Sequence, residues 1–333
     1  MIRLLERAIG NQARGWVQRR RRTRVYTFHY ERVLGTSLEL QVVAAGGGCA
    51  RRAESAVLAE IDRLEQILSG WAPNSELALW LATSETDVPV SADLADVLHA
   101  SAVWRERTGG AFNPAAQAIV ERLRDGASAG AEPSAHLGPL WRVDRASGTA
   151  RRLTQHSVSL DAIAKGYIVA RAAARVRAVD GVSDVLLNIG GDLQHFGRGT
   201  IAAGVADPLA PAENAPPIAA VRLRNAALAT SGGYRRGFLL GGRRVSHIVD
   251  PRIGQPADRI ASASVFAPDC ATADALSTAF SVMLPHESVA LADSLGGVGC
   301  LLVERDGTIT TNVTWNERAV ATHNDESTQD MIR

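Results

Sequence analysis

Two apolar rhythms alternate along this chain, and that alternation limits its possible folds more than any other feature. Leu38, Leu40, Val42 and Ala44 stand two apart, the period of a strand. Gly46-Gly47-Gly48 then breaks the pattern as a turn. Val57, Ile61, Leu64 and Leu68 follow at helical spacing, with Glu54, Glu60 and Arg63 available for the wet face. Ser91 predicts an N-cap ahead of Leu94, Val97, Leu98 and Trp104, and Gly109-Gly110 closes that helix. Ile168, Ala172, Val176 and Val179 mark another helix, residues 185–189 a buried strand ending at Gly190-Gly191, and Leu276, Ala279, Phe280 and Met283 a third helical face. Residues 300–304 and 308–313 flank Arg305-Asp306-Gly307 as a hairpin. Nothing repeats at a fixed period, which argues against a solenoid. Strands and helices mixed throughout predict an α/β or α+β sandwich.

With 333 residues and 46% hydrophobic residues, the chain is long enough for one large core or two smaller ones. A net charge of +1 supplies no global field for nucleic acid, and the arginines at 19–22 lack aromatic interleaving or a recognised module. Cys49, Cys270 and Cys300 are too scattered for a disulfide framework or a structural zinc site. The basic start is followed by neither an uninterrupted apolar stretch nor a small-residue cleavage site, so no signal peptide, no transmembrane segment and a cytoplasmic location are expected. Residues 1–24 read as a frayed basic arm, although Ile2, Leu5 and Ile9 can share a helical face suited to a membrane surface or a partner. Residues 25–318 read as the folded domain and 319–333 as a tail. Residues 124–133 and 207–217 read as surface excursions.

Chemistry concentrates in three segments. Asp274 and Thr278, four apart at the start of a helix, put a carboxylate and a hydroxyl on one face, as a hard cation or a phosphate requires. The competing interpretation is structural: Thr272 caps the helix, Asp274 complements its dipole and Thr278 bonds back to the chain. Lys165, the one lysine in an arginine-dominated chain, stands at the mouth of a helix as a compact positive charge suited to a phosphate oxygen, or as a snorkelling surface residue. His247, ahead of Asp250-Pro251, suits proton transfer near neutrality, or a hydrogen-bonded turn. A Ser–His–Asp hydrolase is disfavoured because Ala229 stands where the nucleophile elbow needs glycine. Gly46-Gly47-Gly48 fails as a dinucleotide fingerprint because Arg51 takes the third glycine's place.

The order of these segments is more telling than any one of them. Leu34-Gly35-Thr36, Ser69-Gly70-Trp71 through Leu77, Thr108-Gly109-Gly110-Ala111-Phe112-Asn113-Pro114, residues 162–167, Asn188-Ile189-Gly190-Gly191-Asp192, Thr230-Ser231-Gly232, residues 247–251 and 273–278 follow one another as in the ApbE family of FAD:protein FMN transferases. Across roughly residues 25–318 the chain resembles that family. The resemblance implies a T-fold-like structure of mixed sheets and packed helices, with FAD in a cleft between its two halves and Mg²⁺ at the pyrophosphate. It implies Mg²⁺ ligands at the Ala162 carbonyl, Asp274 and Thr278. It implies flavin contacts from Leu34, Trp71, Ala111, Phe112, Asn113, Ser159, Lys165 and Ile248, with Trp71 or Phe112 offering a π-face. Leu34 stands in place of a usual methionine and Asn113 in place of a frequent aspartate. Ser159 replaces a common acid, with Asp161 two residues on, on the same face if the segment is a strand. The implied reaction moves FMN from FAD to a Thr or Ser hydroxyl of an acceptor flavoprotein and releases AMP, with His247 as base and Asp274 indispensable. Alternatives are an FAD pyrophosphatase giving FMN and AMP, and a protein that binds FAD without reacting.

Overall fold

Strands buried on both faces dominate the interior, and their side chains separate by parity. On the strand at residues 182–189, Val185, Leu187 and Ile189 enter one apolar cluster and Leu186 enters another. In the computed structural model, the chain is described at residues 23–125, 138–210, 215–233, 237–240, 243–246 and 248–321. The described part opens with β1 (Arg24–Val33), β2 (Thr36–Ala44), α1 (Gly47–Leu68), α2 (Glu76–Leu81), β3 (Val88–Pro89), α3 (Ala92–Arg107), α4 (Ala116–Arg124), β4 (Trp141–Asp144) and β5 (Thr149–Arg152). The middle holds α5 (Asp161–Arg175), β6 (Val182–Ile189), β7 (Asp192–Gly197), β8 (Ile201–Val205), β9 (Ala219–Leu223) and β10 (Ala226–Ser231). After β11 (Gly237–Leu240), β12 (Arg243–Ser246), β13 (Val249–Asp250) and β14 (Gln255–Pro256) come β15 (Ile260–Ala267), α6 (Cys270–Phe280) and α7 (Pro285–Ser294). β16 (Gly299–Glu304), β17 (Ile309–Thr311), α8 (Val313–Arg318) and β18 (Ala319–Val320) finish it.

Eight strands form one sheet in the order β1-β2-β6-β7-β10-β15-β16-β17, and every neighbouring pair is antiparallel. Helices α1, α5 and α6 bury their apolar faces in the larger cluster, on one side of this sheet. On the other side, Leu193, Leu228, Phe266, Leu301 and Val303 meet the small sheet β18-β9-β8 through Val205, Val221 and Leu223. Each buried Leu, Val or Phe removes enough apolar surface from water to be worth about 1.5–3 kcal/mol. The expected α+β mixture is present. Among the described residues, no helix is long and apolar enough to cross a membrane.

Several local expectations hold. Ser91 accepts from the Leu94 amide and caps α3, and Gly109, at φ 57°, takes the left-handed conformation just beyond its end. Others need correction. The glycine run does follow the end of β2 at Ala44, but only Gly46 stays outside the helix, as its extended N-cap, because α1 already begins at Gly47. Glu60 is buried, held by Arg63 at 2.8 Å and Arg175 at 2.9 Å, so the helix face expected to be wet carries an ion-pair cluster instead. β1 was not anticipated; Tyr26, Phe28 and Tyr30 alternate along it and pack on the core. β18 pairs with β9, carrying the described fold two residues past 318. Residues 1–22, 126–137 and 211–214, which include most of the expected arm and parts of both excursions, lie outside the described residues.

Candidate active site

The N-terminal turns of α5 gather the residues that the sequence had scattered over two hundred positions. Gly166 makes this possible. A Cβ there would lie 2.3 Å from the Cys270 carbonyl oxygen and 2.7 Å from the Asp274 Cβ, so only glycine lets α5 and α6 approach so closely. At that contact the Gly166 amide donates to Asp274 Oδ2 at 3.0 Å. Helical geometry makes the Ala162 carbonyl the regular acceptor for the same amide, so the Ala162 oxygen and the Asp274 carboxylate converge on one N–H. Thr278 lies one turn further along the same face of α6, half-buried, with its Oγ1 3.2 Å from Ser231 Oγ at the end of β10.

The charges of this region are unbalanced. Lys165, the sequence's only lysine among 36 basic residues, sits 2.8 Å from Asp192 Oδ2, and Asp192 is almost fully buried. This ion pair replaces the expectation of a snorkelling surface lysine. Asp192 keeps the ammonium charged by raising its pKa, against the opposing effect of burial. Burial raises the Asp192 carboxyl, and Lys165 works against that rise. Asp274 is pushed up to about 8, first by burial and then by the charge of Asp192, with Lys165 and the Gly166 amide opposing; Asp161 adds further repulsion. Two carboxylates, Asp192 and Asp274, thus share one ammonium, and Asp161 adds negative charge beside Asp274. Such a site favours a cation. Among the described residues, no three His, Cys, Asp or Glu side chains are grouped to hold a metal. One carboxylate, one hydroxyl and one carbonyl suit Mg²⁺, a hard ion that takes few protein oxygens and leaves positions for phosphate.

Two loops complete the surroundings. Ser69 Oγ accepts from the Trp71 and Ala72 amides at 3.3 and 3.1 Å, folding the segment between α1 and α2 into a tight loop that leaves Trp71 86% exposed. A Cβ on Gly70 would lie 3.9 Å from Asp161 Oδ1, so this loop rests on the start of α5. The Ser159 amide donates to the Pro114 carbonyl at 3.0 Å and ties residues 111–114 to the same place. Ala111, Phe112 and Asn113 are buried there, Phe112 within the large core, and Asn113 Oδ1 accepts from the Ala115 amide at 3.0 Å. Of the two aromatic candidates, Trp71 therefore has the open face. Leu34 occupies the β1–β2 turn at φ 49°, a left-handed conformation that costs a non-glycine residue about 1–3 kcal/mol, and its side chain packs on the large core. Ile248 precedes β13, where its carbonyl accepts from the Ala257 amide at 2.9 Å and neighbouring Val249 packs against α4. His247 lies outside the described residues.

Three readings of local structure change. Thr272 does not cap α6: Asp269 does, accepting from the Thr272 amide at 2.9 Å and from its hydroxyl at 2.8 Å. Asp274 is the fifth residue of the helix, buried, and bonded across to α5; it is not a first-turn acid facing the dipole. Ser159 and Asp161 do not alternate on a strand. Ser159 ends a loop, its Oγ accepting from the amide of Asp161, the first residue of α5. Asp192, Ser231 and Ser277 were missed as contributors, although Asp192 follows the Gly190-Gly191 turn and Ser231 lies in the Thr-Ser-Gly block.

Known proteins are similar to this chain in sequence and in fold. The family model described as "ApbE family" matches residues 34–302. The FAD:protein FMN transferase of Treponema pallidum is 30% identical over 317 residues, covering 86% of both chains. The FAD:protein FMN transferase of Rhodobacter capsulatus is 32% identical over 295 residues, covering 83% of this chain and 55% of that longer one. Among solved structures, the ApbE protein of Thermotoga maritima superposes with a TM-score of 0.77 at 25% identity, covering 90% of this chain and 100% of that one. Sequence, fold and the order of the site segments lead to one conclusion: the chain belongs to the ApbE family.

Proposed function

We propose that this chain is an Mg²⁺-dependent FAD:protein FMN transferase, which joins FMN through a phosphoester to a Thr or Ser hydroxyl of an acceptor flavoprotein and releases AMP. The carrying observation is the Gly166 amide's bond to Asp274, which sets that carboxylate against the first turns of α5, with Thr278 one turn away on α6 and Lys165 beside Gly166 in the chain, in a chain whose relatives bear that name. The acceptor oxygen forms a bond to the FMN-side phosphorus, the bond from that phosphorus to the AMP oxygen breaks, and the hydroxyl proton leaves to a base. Transfer of this kind depends chiefly on positioning and charge neutralisation. Mg²⁺ held by Ala162, Asp274 and Thr278 would supply charge neutralisation at the pyrophosphate.

The chain's own groups do the remainder. Lys165, kept charged by Asp192, offers a fixed ammonium to a phosphate or flavin oxygen. Trp71 presents an exposed indole for stacking on a flat ring. Leu34, Ala111, Phe112, Asn113, Ser159 and Ile248 complete the proposed FAD contacts, the buried ones by shaping the loop walls. His247 is assigned as the base on the chemistry of imidazole.

The test is product partition. Purified protein, FAD and a candidate acceptor are incubated with and without Mg²⁺, and AMP, free FMN and protein-bound flavin are quantified. Transfer predicts AMP equal to bound flavin, only with Mg²⁺. AMP matched by free FMN would instead show a pyrophosphatase, and intact FAD bound regardless of Mg²⁺ a binding protein.

A further inference from the structure

Between the end of β10 and α6 lies a chain of hydroxyls whose direction is determined by its last member. Ser277 is fully buried, and its Oγ donates to the Asp274 carbonyl oxygen at 2.9 Å. A carbonyl only accepts, so the single Ser277 proton is committed there. Ser231 Oγ lies 2.9 Å from Ser277 Oγ; since Ser277 has no proton left to give, Ser231 donates to it. Ser231 Oγ is also 3.2 Å from Thr278 Oγ1, and with its own proton spent it accepts from Thr278. Ser281 does not disturb this order, because its Oγ donates to backbone carbonyls, at 2.9 Å to Ser277 and 3.5 Å to Ser231. Thr278 therefore gives its proton away from the site and does not bond back along its helix.

We infer that Ser231 and Ser277 are positioning residues that hold the Thr278 hydroxyl as an acceptor, with its lone pairs free for a cation beside Asp274. This rests on the metal site proposed above and extends it to two residues that touch neither metal nor substrate. A freely turning hydroxyl would present its proton to the ion part of the time. The relay removes that orientation before the ion arrives, in the manner of outer partners that fix a ligand's hydrogen-bonding state. β10 thereby becomes a support for the site: Ser231, at the strand's last position, joins sheet to ligand.

The experiment is direct ion binding, independent of turnover: Mn²⁺ titrated into the full chain with FAD and followed by electron paramagnetic resonance, with thermal melts confirming folding. Wild type is expected to bind and Asp274→Asn to lose the site. Ser231→Ala is expected to weaken Mn²⁺ by about 10-fold, the lower end for loss of an outer partner. Ser231→Thr, which keeps the hydroxyl, should restore affinity, and Ser277→Ala, which frees Ser231 to turn either way, should show an intermediate loss. Unchanged Mn²⁺ affinity in both alanine variants, with Asp274→Asn still defective, would overturn the relay while leaving the metal site standing. No Mn²⁺ site in folded wild type would overturn the metal reading and the relay with it. Should Ser231→Ala fail to fold, Ser277→Ala decides alone.

Discussion

The two faces of the eight-stranded sheet are built from the same strands yet do opposite work. Toward β8, β9 and β18 the sheet presents Leu186, Leu193, Leu228, Phe266, Leu301 and Val303, an interior made almost wholly of hydrocarbon. Toward the helices it presents, at positions of opposite parity on β7 and β10, Asp192, Gln194 and Ser231, which meet Lys165, the Cys270 amide, and Ser277 with Thr278. A residue step of one on β7, from Leu193 to Asp192, passes from packing to chemistry. The difference teaches where stability and activity should separate. Carboxylates whose pKa burial raises, Asp192 and Asp274, oppose folding unless something neutralises them, whereas the hydrocarbon face only favours it.

The largest expected effect follows on the helix side. Asp274→Asn keeps an oxygen for the Gly166 amide but removes a buried negative charge, so FMN transfer should fall by at least about 10²-fold, the scale for loss of one principal electrostatic partner. The melting temperature of the metal-free protein should hold or rise, as measured by a calorimetric scan beside the assay. A loss of both stability and activity would erase the distinction between the faces. On the other side, Phe266→Ala should cost about 3–5 kcal/mol in denaturant unfolding, as large-to-small changes in a filled core do. Its folded fraction should keep the wild-type KM for FAD.

These residues also show how much was legible in advance. Helical faces such as Val57, Ile61, Leu64 and Leu68 were readable because period and burial coincide, and all four are buried. The strand at residues 185–189 was readable for the same reason, since a strand covered on both sides is apolar throughout. β1 was missed because its alternating aromatics follow an arginine run that drew the reading toward a basic arm. At the site, the ordered motifs identified Ala162, Asp274, Thr278 and Lys165 as a set, but not how they meet. Lys165 needs Asp192 from β7, and Asp274 needs Gly166 from α5; neither pairing leaves a trace in local spacing. The Thr272 cap failed because Asp269, three residues earlier, is the stronger capping acceptor and stands where the chain is still extended.

A smaller effect sharpens the comparison at the rim. Trp71→Ala should leave unfolding unchanged, since the side chain is exposed, and raise the KM for FAD by about 10-fold if the indole stacks on a ring, where such contacts are worth about 1–3 kcal/mol. The smallest concerns His195, a buried polar residue on the hydrocarbon side, whose Nδ1 accepts from the Asn225 amide at 3.3 Å. Burial lowers its pKa from the ordinary 6.5, with Arg224 reinforcing and Asp184 opposing. As pH falls the unfolded chain takes up the proton first. The stability due to neutral His195 is therefore complete above pH 6.5 and lost progressively below it, by at most about 1.4 kcal/mol per pH unit. Urea unfolding between pH 7.5 and 5 should show that slope, flattened in His195→Gln, with KM for FAD in the folded fraction shared by the two proteins at each pH.

The central claim is that Asp274 and the turns around Gly166 carry Mg²⁺-dependent transfer of FMN to a protein hydroxyl. Its most direct test is the intact mass of an acceptor flavoprotein after incubation with FAD across a Mg²⁺ series, using wild type, Asp274→Asn and Phe266→Ala normalised to folded protein. The account predicts an FMN-sized increase that grows with Mg²⁺ for wild type and Phe266→Ala and is absent for Asp274→Asn. Acceptor labelling by Asp274→Asn at the wild-type rate and Mg²⁺ dependence would contradict it.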